Sequence, residues 1–284
     1  MLKKIFFAAA LLLASELGAK PVVIASIAPV EYLAKAVGGD KIEVQSLAKG
    51  DVHSYEPKPN DMKAVAKARI FIAAGLEFEE AWIPRFKASA KNLVVVKSDA
   101  KIAKLKEERG EQAEHDEKHE AHADPHVWLN PMLAITMARN ISDALIDMDK
   151  ANKDFYLENF QKLMNDLLAF DESAKNELAG LKNRKFVVYH PAWGYFAAHY
   201  DLEQISIERS GKEPKIDEMA STVKMIKDEN IKVIFADPNR SQKSAQILAS
   251  QTGAKVELLD PLGYNLLENL KIAVGAIKDA NSPK

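Results

Sequence analysis

The sequence predicts an α/β protein in which two runs of alternating strands and helices flank one long helix. Three observations carry this. Short Val/Ile-rich runs alternate with helical stretches in the first half, the same alternation returns after residue 183, and apolar residues at helical spacing fill residues 152–181 between them. The β-rich runs lack a clean in-out alternation, which suits mostly parallel sheets covered by helices on both faces.

The chain opens with MLKKIFFAAALLLASELGAK. Lys3 and Lys4 precede an apolar run from Ile5 to Ala14, with small residues near Ala19. That is the pattern of a secretory signal over residues 1–19. The competing readings are a short membrane anchor or a buried first helix, but the run is short for a bilayer span. No other stretch reaches the roughly 18 apolar residues a transmembrane helix needs.

PVVIASI (21–27), KIEVQSL (41–47), RIFIAA (69–74) and LVVVKS (93–98) read as strands. VEYLAKAVGGD (30–40) reads as a helix closed by glycine, and NDMKAVAKA (60–68) as another with Asn60 placed to cap it. Residues 107–124, EERGEQAEHDEKHEAHAD, hold eight acidic residues, two basic ones, three histidines and no large apolar residue. Such a stretch buries too little surface to offset its ordering entropy, so an inserted loop is expected. From Asn152 to Leu181, Phe155, Phe160, Leu163, Met164, Leu167, Leu168, Ala174, Leu178 and Leu181 recur at helical steps. A continuous helix there would span about 45 Å, enough to run along two lobes and join them. KFVVYH (185–190), EQISIE (203–208), KVIFAD (232–237) and KVELLD (255–260) then read as strands, with helices over 219–230 and 244–253. The expected organisation is a first lobe over 20–150, a linking helix over 151–182 and a second lobe over 183–284.

Composition narrows the function. The 284 residues carry a formal net charge of −2, so no electrostatic case exists for nucleic acid or an anionic membrane. There is no cysteine, which rules out disulfides, thiolate zinc sites, a thiol nucleophile and a lipid anchor on cysteine. An exported protein without that anchor suits a periplasm.

Four residues stand where the chain leaves a regular element beside proline. His53 lies in GDVHSYEPKPND, His126 in DPHVWLNP, His190 in FVVYHPAWGYF and Asp260 in VELLDPLGYN. In open α/β sheets, ligands bind beyond the carboxyl ends of strands, and His190 and Asp260 stand at such ends. Each residue also has a plainer reading. His53 suits a solvated loop, His126 packing against Trp128, and Asp260 a turn. His190 follows four apolar residues, and a buried imidazole needs partners for its nitrogens. The separations of 73, 64 and 70 residues form no short-range signature, so spacing alone leaves a metal site open. His115, His119 and His122 share a face only if their segment is helical. Weak metal binding and plain solvation fit them equally. His199, in FAAHYDL, is expected on a helix without a role.

Taken together, GDVHSYEPKP, the acidic His-rich stretch, DPHVWLNP, YHPAWGYF, SGKEPK, IFADPN and LDPLG resemble the metal-binding proteins of bacterial ABC uptake systems, in particular their zinc-specific members. The resemblance covers nearly all of the chain after the signal, in order. It implies two α/β lobes joined by one long helix, with the metal between them. It implies ligands at His53, His126, His190 and Asp260, with water replacing the acid in some members. It also implies a monomer that hands its ion to a membrane permease driven by a cytoplasmic ATPase. The sequence departs at Val52, where members commonly carry proline, and this is expected to loosen the loop around His53.

Chemistry gives these residue types a reason. Three imidazoles and a carboxylate make a closed tetrahedral shell suited to Zn²⁺. Manganese and iron relatives resemble this pattern with a carboxylate in place of His190, and an oxygen-richer shell suits Mn²⁺ better. The expected function is capture and delivery of Zn²⁺ without catalysis. The rival readings are a manganese or iron carrier of the same kind and a zinc hydrolase. A hydrolase needs an open coordination position and a general base, and HExxH is absent. Acid is expected to weaken binding, because imidazoles must be neutral to ligate. Trp128, Tyr189 and Trp193 flank the candidate ligands and fit either an apolar shell that limits water access or plain core packing, the latter favoured for Trp193, with Glu56 and Asn130 as candidate hydrogen-bond partners.

Overall fold

Eight four-residue strands and nine α-helices make up the described part of the chain. The computed structural model describes residues 19–106, 123–208, 214 and 216–281. The expected signal up to residue 18, His115, His119 and His122, and most of SGKEPK lie outside the described residues.

The first lobe runs β1 (Val22–Ala25), α1 (Ala28–Gly38), β2 (Glu43–Ser46), α2 (Pro59–Val65), β3 (Ile70–Ala73), α3 (Glu77–Ser89), β4 (Val94–Lys97) and α4 (Pro131–Met148). Its sheet is fully parallel in the order β2-β1-β3-β4. All four residues of β3 are buried, which explains an unbroken apolar run in place of alternation. Helix α2 starts at Pro59, so Asn60 lies inside its first turn and does not cap it. Gly39 closes α1 at φ +54, and a Cβ there would stand 2.7 Å from the Phe155 ring. Glycine is therefore required both by the left-handed backbone and by the helix that follows.

That helix is α5 (Lys153–Ala179), within the expected span, and its 27 residues reach about 40 Å. The second lobe runs β5 (Lys185–Val188), α6 (Gly194–His199), β6 (Glu203–Ser206), α7 (Ile216–Asp228), β7 (Val233–Ala236), α8 (Lys243–Thr252), β8 (Lys255–Leu258) and α9 (Leu266–Asn281). Its sheet is parallel in the order β6-β5-β7-β8, the same winding as the first. The architecture is thus the expected α/β pair of lobes with a long helix between them. Three helices of the fold, α3, α4 and α9, are not among the expected elements.

Helix α5 packs against α1 and α4 of the first lobe and against α9 of the second. Helix α9 also reaches α1, so two helices cross between the lobes. One apolar core runs through both lobes, from Val23 and Phe71 to Phe186, Trp193 and Ile277. A second, smaller core lies on the other face of the second sheet, around Val187, Ile234 and Leu248. No helix among the described residues is long and apolar enough to cross a membrane.

Candidate metal centre

In each sheet the chain winds first to one side of the leading strand and then to the other. The crevice of the second lobe therefore opens between the carboxyl ends of β5 and β7. His190 stands two residues past β5, and Arg240 lies in the turn after β7. Glu208 stands two residues past β6, where its N–H donates to the Tyr189 carbonyl at 2.8 Å and continues the ladder. The first lobe contributes His53 from the loop after β2, and His126 from the turn before α4.

The loop of His53 is fixed locally by carboxylates. Asp51 accepts from the His53 N–H at 3.1 Å and from the Ser54 hydroxyl at 3.2 Å. Asp61 accepts from the Tyr55 hydroxyl and the Lys58 N–H at 2.8 and 2.7 Å. Val52 is buried at 3% exposure. Its side chain joins the apolar core.

His126 and His190 are both buried, and each has a carboxylate at its Nδ1. Asp124 Oδ1 accepts from the His126 Nδ1–H and main-chain N–H at 2.8 and 2.9 Å. Glu208 Oε2 accepts from His190 Nδ1–H at 2.8 Å. Both carboxylates are buried, at 6% and 3% exposure, and each fixes its imidazole in the tautomer that leaves Nε2 with a free lone pair. Asp124, Glu208 and Arg240 were absent from the sequence reading. Asp124 carried a usable signal, since an Asp-Pro-His tripeptide can fold its carboxylate back onto the histidine.

The three imidazoles converge. Ring centroids lie 5.4 Å apart for His53 and His126, 5.0 Å for His53 and His190, and 5.4 Å for His126 and His190. One ligand atom from each falls within 4.8 Å of the others. Tetrahedral zinc with ordinary Zn–N bonds separates its nitrogens by about 3.4 Å, so a small contraction would close the three on one ion. Burial and the neighbouring imidazoles, with Arg240 after them, push His53 down to about 3 and hold His190 well below 6.5. These two rings are therefore neutral near pH 7, as ligation requires.

Asp260 is not brought into this group. Its Oδ1 accepts from the Leu262 N–H and from Asn239 Nδ2, both at 2.8 Å, and so serves its own turn after β8. Asn130 also has another task, since its side chain caps α4 by accepting from Met132 and Leu133 N–H. Glu56 is exposed. The Trp128 ring lies 5.3 Å from His126, and its Nε1–H donates across the lobes to the Pro261 carbonyl at 2.7 Å. Trp193 packs on Phe196 in the core. His199 donates from Nε2 to Asp171 Oδ1 at 2.6 Å and ties α6 to α5.

Residues 23–280 match the profile of the family described as ZnuA, zinc-uptake complex component A, periplasmic. The high-affinity zinc uptake system protein ZnuA of Bacillus subtilis (strain 168) is 30% identical over 284 residues, covering 93% of this chain and 88% of its own. The zinc-binding lipoprotein AdcA of Streptococcus pneumoniae is 29% identical over 249 residues, and the match covers 84% of this chain but 50% of AdcA. A crystal structure of ZnuA is 35% identical and superimposes with a TM-score of 0.85, covering 93% of this chain and 100% of that one.

Proposed function

This chain belongs to the ZnuA family of zinc-uptake components, and from that premise we propose that it captures Zn²⁺ in the periplasm and delivers it to an ABC permease. The ion is cargo, taken up between the lobes and given up unchanged. His53, His126 and His190 hold it through Nε2, and water takes the fourth position. Asp260 spends its Oδ1 on Leu262 and Asn239, so only its Oδ2 would be left for an ion. The chain acts as a monomer, and its partners are the membrane permease and the cytoplasmic ATPase that drives it. The observation that carries this reading is the convergence of three imidazoles, two of them buried and backed by buried carboxylates. Imidazole at position 190, in place of a carboxylate, favours zinc over manganese.

The test is metal competition on the stripped protein. Zn²⁺ and Mn²⁺ are titrated against each other in wild type and in His190→Ala. The expected result is tight zinc, weak manganese and a loss of at least about 100-fold in zinc affinity in the variant. Equal or preferred manganese would move the chain to a manganese specificity. An indifferent variant would break the proposed site.

A further inference from the structure

Arg240 does not fit the picture of a site made only of imidazoles and water. Its Nη2 donates to Glu208 Oε1 at 2.9 Å, while Glu208 Oε2 takes the His190 Nδ1–H at 2.8 Å. Its Nη1 lies 2.9 Å from His190 Nδ1 and 3.5 Å from His190 Nε2. A donor in the ring plane, along the Nδ1 direction, would stand much further from Nε2. Contact with both nitrogens places the guanidinium over the face of the ring. The plane at Nδ1 is left to Glu208. A positive charge beside a cation site is costly for metal binding, so its presence needs a reason.

Glu208 supplies one. Its carboxylate is 3% exposed and stands against a metal-binding imidazole. A buried carboxylate must be paired. Among the described residues, the charged partner of Glu208 besides the His190 ring is Arg240, so without it the carboxylate would turn toward a metal bound nearby. A carboxylate oxygen in the shell is the harder kind of ligand that suits Mn²⁺. The planar guanidinium can hold Oε1 and cover the ring at once, which an ammonium cannot do in the same way.

We propose that Arg240 is a specificity-determining residue that withholds the Glu208 carboxylate from the metal and so keeps the site nitrogen-rich and selective for zinc. It acts through Glu208 and His190 as a positioning residue. The inference rests on the reading of His190 as a ligand.

The test compares Arg240→Gln, Arg240→Lys and the double variant Arg240→Gln/Glu208→Gln with wild type. Zn²⁺ and Mn²⁺ affinities are measured by competition, and folding is checked by thermal unfolding. Loss of a charge near the site raises affinity for every divalent ion, so the ratio of zinc to manganese affinity is the readout. That ratio is expected to fall about tenfold in Arg240→Gln and to recover in the double variant. Arg240→Lys keeps the charge without the fork and is expected to lie between. A wild-type ratio in both single variants, or a shifted ratio that Glu208→Gln does not restore, would overturn the inference. His190→Ala in parallel separates the two ideas. If it loses zinc while the Arg240 ratios stay fixed, only the role of Arg240 fails. If it binds zinc like wild type, the site itself fails.

Discussion

At the scale of single residues, the site divides into rings that are held and a ring that is placed by its loop. Asp124 and Glu208 orient His126 and His190, while His53 depends on main-chain bonds around Asp51 and Asp61. Removing Asp260 should therefore matter less than removing a histidine. Asp260→Ala is expected to weaken zinc by less than about tenfold, against at least about 100-fold for His126→Ala, in competition with a chromophoric chelator. A loss as large as that of His126→Ala would place the acid in the shell. Trp128 offers a second test. Its buried Nε1–H reaches Pro261 across the lobes. Trp128→Phe leaves that carbonyl unpaired and is expected to cost about 1–3 kcal/mol of stability. An unchanged denaturation midpoint would mean water satisfies the carbonyl. The sequence marks His53, His126, His190 and Asp260 alike, each at a proline-bounded exit from a regular element, and the family resemblance makes them a candidate ligand set. Glu208 and Arg240 carry no such mark, because each stands among ordinary surface-type residues and gains its role only from the strands that carry it.

At the scale of elements, the inner strands were legible because they are buried on both faces, as β3 and β7 are throughout, which writes Val/Ile runs into the chain. Helix α9 was not, since Gly275 interrupts its apolar pattern as a breaker would. Helix α4 mixes Ile and Thr with its apolar face, which blurs the helical period. Helix α5 is the element on which the lobes depend. Leu167 is fully buried midway along the face of α5 that the core covers. Leu167→Ala should cost about 2–5 kcal/mol by opening a cavity there. Urea unfolding that shifts by less than about 1 kcal/mol would show that the site collapses or that α5 is less central than its packing suggests. Metal binding should change little in the same variant, because no ligand lies on α5.

At the scale of the whole molecule, a continuous core and two crossing helices oppose a wide hinge. On the three-histidine site proposed above, zinc capture would need only a closing of three nitrogens by an ångström or so. Solution scattering with and without zinc should give radii of gyration within about 1 Å. A larger change would require a domain rotation that this core does not permit. Acid acts on the molecule through the same rings. His53 is held at about 3 in the folded chain against 6.5 for a free imidazole, and His190 is lowered too. Between those limits the unfolded chain binds protons that the folded one does not, so these groups lose stability as pH falls below 6.5. Glu79, raised to about 6 by burial, runs the other way over part of this window. The metal-free protein should therefore lose more stability between pH 7 and 5 than its His53→Gln variant does. Equal losses would show that His53 is not held neutral by the fold.

The sequence by itself determined the α/β class, the long helix and the positions of eight strands, and it marked His53, His126, His190 and Asp260 as candidate ligands. Those features are written locally, in periodicity, in proline and glycine punctuation, and in residue chemistry. Only the tertiary structure decided that the three imidazoles meet and that Asp260 turns to its own loop. It alone placed Asp124, Glu208 and Arg240 around the rings. The reason is geometric. His53, His126 and His190 are separated by 73 and 64 residues, and only the parallel winding of two sheets, joined by α5 and α9, brings the loops that carry them to one point.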